Sequence, residues 1–414
     1  MSRDDLVRVT DRGLYCPAAD LHIDPWGPVE RAVVTHAHAD HARPGSDRYL
    51  AAASGEAILR ARLGDVRLET VAWGERRRLG DVTLSLHPAG HVRGSAQVRL
   101  ERGGEVWVVT GDYKVHRDPV AEPFELVPCH TLVSECTFGL PVYRWPDPGA
   151  VYRAIDEWWR ENREAGRTSV LFGYALGKAQ HLLAAVDASA GPILVHGAVQ
   201  RMNEAHEAAG VTLPETRYAG VDEAKATRGE ALVIAPPSSG GRPGWMRKFG
   251  PTSTAFASGW MQVRGVRRRR AADRGFVLSD HADWPGILEV VRETGAERVG
   301  LTHGKTGPMV RYLREEGWDA WSLPTRYEGE ADRAEGAVDE DVTAAGEERR
   351  AGEGPGSSGA PRQGGEDARG GAAGGQGGDG AGGRSGGGGR SGFGDDPGPP
   401  QLPLESPPAD GDAS

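Results

Sequence analysis

The sequence predicts an α/β protein, and three observations carry that expectation. Short β-branched runs recur and stop at turns that hold histidine or aspartate, strands then alternate with helices through the middle of the chain, and beyond residue 327 both patterns give way to Gly, Ala, Ser, Pro and acid. The first two patterns describe packed secondary structure, and the third cannot bury enough apolar surface to offset the entropy of ordering it.

The most informative turn comes early. Arg31-Ala32-Val33-Val34 reads as a buried strand, and Thr35-His36-Ala37-His38-Ala39-Asp40-His41 follows it, with four potential metal ligands inside six positions. In an extended segment alternate side chains share a face, so His36 and His38 can grip one ion while the next turn carries Asp40 and His41 elsewhere. That spacing suits two ions better than one. Imidazole with carboxylate suits Zn, Mn or Fe, and with no cysteine in the run a Cys-type structural zinc site is not expected. A polar loop whose histidines satisfy backbone groups is the competing explanation, and it accounts for a lone histidine better than for this cluster. Upstream, Asp24 in Leu21-His22-Ile23-Asp24-Pro25 ends an apolar strand. It either supports a ligand histidine by hydrogen bonding or forms an ordinary Asp-Pro turn.

Residues 51–64, with Ile58, Leu59 and Leu63 at helical spacing, predict a short surface helix. Strands follow at Val82–Leu86, Ala96–Leu100 and Val106–Thr110, each bounded by glycine or charge, as in hairpins of an antiparallel or mixed sheet. His91 and Asp112 sit at strand ends beside glycines that allow the backbone to come close to a buried ion. Next, Thr131-Leu132-Val133 leads into Ser134-Glu135-Cys136. A helix over Val151–Ala165, a strand at Ser169–Phe172, a helix opened by Gly173-Tyr174-Ala175-Leu176-Gly177-Lys178-Ala179-Gln180, and strands at Ile193–Val195 and Leu232–Ile234 suggest a small α/β unit. Finally Phe276-Val277 runs into Ser279-Asp280-His281-Ala282-Asp283, and Arg298-Val299-Gly300 into Leu301-Thr302-His303-Gly304.

Charge is unevenly placed. The chain carries 49 basic and 59 acidic residues, but 18 of the acids and only 7 of the bases lie beyond residue 327, so residues 1–327 hold 42 bases and 41 acids. A near-neutral body with local arginine clusters does not argue against nucleic acid as an acidic total would. The densest cluster is Arg264-Gly265-Val266-Arg267-Arg268-Arg269-Arg270, which is either a solvated face or a phosphate-contacting one. Three cysteines form neither a CxxC pair nor an even disulfide framework, and no apolar run is long enough to span a bilayer, so a cytoplasmic protein without a membrane partner is expected.

The order His-x-His-x-Asp-His, then a Gly-flanked His, then a Gly-flanked Asp resembles the metallo-β-lactamase superfamily. The resemblance implies a four-layer αββα sandwich with two metals at one edge of the sheets. His36, His38 and His91 would ligate one ion, Asp40 and His41 the other, and Asp112 would bridge them. The motifs around Glu135, His281 and His303 resemble the acidic and histidine motifs of the β-CASP nucleases, a branch that acts on DNA or RNA. In that branch a second α/β domain is inserted where this chain has Pro141 to Arg274, and the Gly-Lys-Ala-Gln run looks like its signature. The implied organisation is 1–140 and 275–327 for the two parts of the sandwich, 141–274 for the insert, and 328–414 for a disordered acidic tail.

Within the branch the chain is most similar to the bacterial ligase-associated DNA exonucleases. That likeness rests on Gly13 to Pro17, Ile23 to Trp26, the run from Thr35 to Ser46, the Tyr-Ala-Leu-Gly-Lys-Ala-Gln run and Ser-Asp-His-Ala-Asp-Trp. It implies two divalent ions, Zn with Mn as the alternative, about 3.5–4 Å apart and supplying a nucleophile from water near neutral pH. His303 would complete the second ion's shell, and His281 would be the general acid, held by Glu135 or by the flanking Asp280 or Asp283. Arg264, Arg267, Arg268, Arg269 and Arg270, with Arg242, Arg247 and Lys248, would line a nucleic-acid groove. DNA is the expected substrate, RNA the alternative, and a functional link to a DNA ligase follows from the likeness alone. A small ester or thioester hydrolase and an inactive scaffold are the competing classes; the arginine run argues against the first and the complete ligand set against the second.

Overall fold

The strands Glu105–Val109 and Thr131–Glu135 are buried along almost their whole length, so their sheet needs cover on both faces, from a second sheet on one side and helices on the other. The structure is a computed structural model that describes residues 5–269 and 272–326, all within one compact unit. The first sheet takes its six strands in chain order: β1 (Arg8–Thr10), β2 (Gly13–Cys16), β3 (Leu21–Ile23), β4 (Arg31–Val33), β5 (Arg48–Ala52) and β6 (Leu68–Val71). Its first two pairings are antiparallel and the last three parallel.

The second sheet begins with β7 (Arg77–Leu79), β8 (Val82–Pro88), β9 (Ala96–Arg102), β10 (Glu105–Val109) and β11 (Thr131–Glu135). It is mixed: β7 to β10 form an antiparallel meander, and β11 joins β10 in parallel. The register sets Leu84 opposite Leu100 and Leu86 opposite Val98. These four side chains meet Ile23, Val33 and Val71 of the first sheet in one buried cluster, the core between the sheets.

The chain then leaves to build a third sheet from β12 (Thr168–Phe172), β13 (Ile193–Val195), β14 (Arg217–Tyr218), β15 (Leu232–Ala235), β16 (Thr252–Ala257) and β17 (Arg274–Phe276). Its order is β14-β13-β15-β12-β16-β17 and every pairing is parallel. A parallel sheet needs both faces covered, which explains why the central strands β13 and β15 read as continuous apolar runs rather than alternations. One face packs on Ile155, Trp158 and Trp159 of the helix Pro148–Glu164 and on Leu182 and Leu183 of the helix Lys178–Ala185; the other packs on Phe249 and Ala224.

The chain returns to the second sheet through β18 (Arg298–Thr302) and β19 (Asp319–Ser322), both parallel to their neighbours. The helices Trp284–Glu293 and Thr306–Glu315 cover that sheet's outer face with Ile287, Val291, Met309 and Leu313.

Two sequence expectations change. Ala51 and Ala52 end strand β5 instead of opening a helix, because β5 is sandwiched between parallel partners; the helix runs Glu56–Leu63, and it buries Ile58 and Leu59 against Ala32, Val34 and Tyr49. His36 and His38 lie in a looped segment past the end of β4, not in its extension. The tail from residue 328 and Arg270 lie outside the described residues. Among the described residues no helix is long and apolar enough to cross a membrane.

Candidate metal centre

Loops leaving one end of both sheets bring the predicted ligands together. His36 Nε2 and His91 Nε2 each lie 3.0 Å from His38 Nδ1. The opposite ring nitrogens explain why they can be so close. His36 Nδ1 faces the Thr35 hydroxyl at 3.0 Å, His38 Nε2 the Leu176 carbonyl at 3.1 Å, and His91 Nδ1 the Asp280 carbonyl at 2.7 Å. With the proton of each ring donated outward, three lone pairs converge on one point, the donor set of a divalent transition ion.

Asp112 closes this group and reaches a second. Its Oδ2 lies 3.6 Å from His36 Nε2, 3.8 Å from His91 Nε2 and 3.3 Å from His41 Nε2. His41, Asp40 and His303 offer ligand atoms that all fall within 4.8 Å of one another, and the rings of His41 and His303 stack at 5.4 Å. His303 Nδ1 is enclosed and carries no hydrogen bond, and His41 Nε2 faces the Asp112 and Asp40 carboxylates at 3.3 and 3.6 Å. A buried ring nitrogen without a partner costs free energy unless something else satisfies it, and convergent imidazoles and carboxylates are a donor set for a divalent ion, so both groups fit metal ions.

Electrostatics points the same way. Burial, aided by the charge of its neighbours, pushes the His36 imidazole well below its ordinary value, and burial with His281 nearby brings His91 down to about 4. Both rings are therefore neutral. Burial alone would lower His41 too, but Asp112 and Asp24 overcome it and hold it up at about 10. Burial would likewise raise the Asp112 carboxyl, yet His41 keeps it well below the usual range. The site as built calls for positive charge.

The supporting shell is specific. Asp24 accepts from the Thr35 N–H at 2.8 Å, from the Thr35 hydroxyl at 2.7 Å and from His41 Nδ1 at 2.7 Å. Both Asp24 (φ 44°) and His303 (φ 58°) adopt the left-handed backbone region, which is uncommon for non-glycine residues and marks an imposed constraint. Gly111, beside Asp112, has φ +57°, and a Cβ there would fall 2.7 Å from the Thr35 side chain. The glycine is thus required by Thr35, rather than by an ion as the sequence suggested.

Next to these groups His281 Nδ1 bonds both oxygens of Glu135, at 3.0 and 2.9 Å, and Glu135 is fixed in turn by the Tyr113 N–H at 2.8 Å. The flanking acids are engaged elsewhere: Asp283 accepts from the N–H groups of Gly286 and Trp145, and Asp280 pairs with Lys178 at 2.8 Å. Phe138 packs 5.8 Å from the His281 ring and 4.9 Å from Trp260, tying the wall of the site to the segment that leads to the helix Arg264–Arg269. Arg264 is exposed at its start; the side chains of Arg267, Arg268 and Arg269 lie outside the described residues. Arg247 bonds the Pro243 carbonyl and Lys248 the Ala219 carbonyl, contacts within the third-sheet region.

Sequence reasoning missed one cluster. Asp118, His181 and Asp280 lie within ligand spacing of one another, but the ammonium groups of Lys114 and Lys178 already occupy the cation positions, each 2.8 Å from a carboxylate. Tyr152 completes it with a 2.6 Å hydrogen bond to His181 Nε2. Lys178 was visible in the Gly-Lys-Ala-Gln run, whereas its partners are single residues scattered from position 114 to 280.

Comparison with known proteins gives distant relatives. The chain is 35% identical over 314 residues to a protein of Opitutus terrae named "Probable DNA ligase", covering 75% of this chain but 30% of that protein. It is 29% identical over 111 residues to an RNase J-like protein of Methanocaldococcus jannaschii, 26% of each chain, and 30% identical over 151 residues to the transcription termination factor FttA of Pyrococcus abyssi, 34% of this chain and 23% of that one. The chain thus spans a third or less of each of these relatives. No family model matches it. A solved structure of a protein of unknown function from Enterococcus faecalis V583 superposes with a TM-score of 0.49 at 13% identity, over 71% of this chain and 79% of that one. The relatives support the superfamily that the ligand order resembles.

Proposed function

We propose that this chain is a metal-dependent nuclease of the metallo-β-lactamase superfamily's β-CASP branch, an exonuclease that hydrolyses phosphodiester bonds of DNA. The observation that supports the reading is the position of Asp112, whose Oδ2 lies 3.6 and 3.8 Å from His36 and His91 of one group and 3.3 Å from His41 of the other, with the His281–Glu135 pair alongside. His36, His38, His91 and Asp112 would hold one divalent ion, and Asp40, His41, His303 and Asp112 the other, Zn or Mn. When bound, such ions acidify water and neutralise charge on a phosphate.

The chain's own residues supply the rest. Glu135 grips Nδ1 of His281, so the ring's transferable proton lies on Nε2, and the carboxylate stabilises the imidazolium that gives it up. Donation of that proton to the leaving oxygen is the general-acid role that an imidazole serves. Thr35 and Asp24 hold the rings of His36 and His41 in place, and Arg264 with its neighbours would contact backbone phosphates without choosing a sequence. Similarity to a DNA-ligase-named protein over three quarters of this chain supports DNA. Similarity to an RNase J-like protein supports RNA as the second reading.

The test is to incubate wild type and Asp112→Ala with matched end-labelled single-stranded DNA and RNA, in Mn and in Zn. A ladder from DNA, absent in the variant, is expected. Cutting of RNA alone would replace the first reading with the second, and no cutting by metal-loaded protein would overturn both.

A further inference from the structure

The Gly-Lys-Ala-Gln run has no role in the reading above, yet the turn that holds it reaches the first ligand group by two routes, one through Leu176 and one through Asp280. The Leu176 carbonyl, one residue before the run, takes the outward nitrogen of His38 at 3.1 Å. Lys178 Nζ reaches the Leu278 carbonyl at 2.9 Å and the Asp280 carboxylate at 2.8 Å, and the Asp280 carbonyl takes the outward nitrogen of His91 at 2.7 Å. Two of the three convergent imidazoles are therefore oriented by oxygens that this one turn supplies or anchors.

The turn is built to hold that position. Gly177 has φ +84°, and a Cβ there would fall 2.4 Å from Val92, next to His91, and 3.9 Å from His38 Nε2. Only glycine lets the backbone come so close. Gln180 ties the turn from inside, accepting from the Gly177 N–H at 2.8 Å and donating to the Ala175 carbonyl at 3.0 Å and to Asn203 at 2.8 Å. Lys178 is fully buried, and His181 on the same helix adds a second contact to Asp280 at 3.2 Å. A buried ammonium with two fixed acceptors one helical turn from a histidine on the same carboxylate specifies a single geometry.

We infer that the turn Ala175–Gln180 is the positioning element of the His36–His38–His91 ion site, with Lys178 as its positioning residue, so that the third-sheet region sets the affinity of the first ion. The inference rests on the reading that these three histidines hold an ion. Outer partners of ligand histidines, when removed, weaken metal binding roughly 10- to 100-fold.

The experiment measures zinc affinity of full-length, initially metal-free protein by chelator competition, with no substrate present. Lys178→Met and Gly177→Ala are compared with wild type, and His303→Ala serves as the reference in which the second site is removed. Melting of the metal-free forms is followed in parallel. In both variants the first equivalent should weaken about 10- to 100-fold while the second stays close to wild type. Unchanged affinity for both equivalents would overturn the inference, as would equal weakening of both in step with lost thermal stability, or failure of both variants to fold. Protein that binds two ions in this pattern and cuts no nucleic acid would overturn the nuclease reading and leave this one standing.

Discussion

Asp24→Asn acts most directly on the second ligand group, whose His41 is bonded to Asp24 at 2.7 Å. Asparagine keeps the shape of the side chain and tolerates the left-handed backbone that Asp24 adopts at φ 44°, so the change is chemical rather than steric. The carboxylate accepts three hydrogen bonds, two from Thr35 and one from His41. An amide has one acceptor oxygen and must turn its NH2 toward at least one of these donors. If the oxygen stays on the Thr35 N–H, the NH2 faces His41 Nδ1, which must then give up its proton, so the proton that the ring keeps lies on Nε2, the atom directed at Asp112 and Asp40. Losing a charged hydrogen bond costs about 1.5–3 kcal/mol. Asp112 and, less strongly, Asp24 raise His41 from 6.5 to about 10 against burial, so part of the preference for the charged ring goes with the Asp24 carboxylate. The lost hydrogen bond places the effect at ~2 kcal/mol. Urea unfolding of the metal-free protein at pH 7 should show a loss of about that size. Chelator competition should show the second ion weakened ~10- to 100-fold and the first, which Asp24 reaches through Thr35 and His36, weakened less. Wild-type affinity for both ions, or weakening confined to the first, would refute the reasoning.

Two further outcomes follow from the same geometry. His281→Ala should retain both ions, since His281 belongs to neither ligand group, yet lose ~10²- to 10⁴-fold in turnover, as expected for a general acid; elemental analysis beside a rate measurement checks it, and metal-free variant protein would count against it. His206, buried with Nδ1 on the Met202 carbonyl at 2.7 Å, is lowered chiefly by burial to about 4. The unfolded chain therefore binds the proton more readily, so the stability that this neutral ring contributes is complete above about pH 6.5 and is lost as pH falls toward 4. Relative to His206→Gln, wild type should lose roughly 3 kcal/mol across that window in urea titrations, and a pH-independent difference would contradict the assignment.

Much of the centre was legible because its residues are closely spaced and lie at strand ends. His36, His38, Asp40 and His41 fall within six positions, and His91, Asp112 and His303 each follow an apolar run, so the structure brings them together once the strands pair. In the third sheet β12, β13 and β15 were legible as apolar runs between helices, whereas β14, β16 and β17 are too short or too polar to read alone. What stayed hidden was long-range. Nothing local shows that Lys178 meets Asp280, or that Asp118, Lys114 and Tyr152 complete the same cluster, because each is a single ordinary residue whose partner lies far away in sequence. The strand at Ala51 and Ala52 was misjudged for a related reason. Alanine favours a helix locally, and the parallel partners on both sides of β5 outweigh that preference.

The central claim is that two ions share Asp112, and the most direct measurement is the metal content of purified protein dialysed against a fixed low zinc concentration, for wild type and Asp112→Ala. Two equivalents per chain in wild type, with a clear loss in the variant, are the expected result. Fewer than one equivalent in wild type, or two in both proteins with equal affinity, would contradict it.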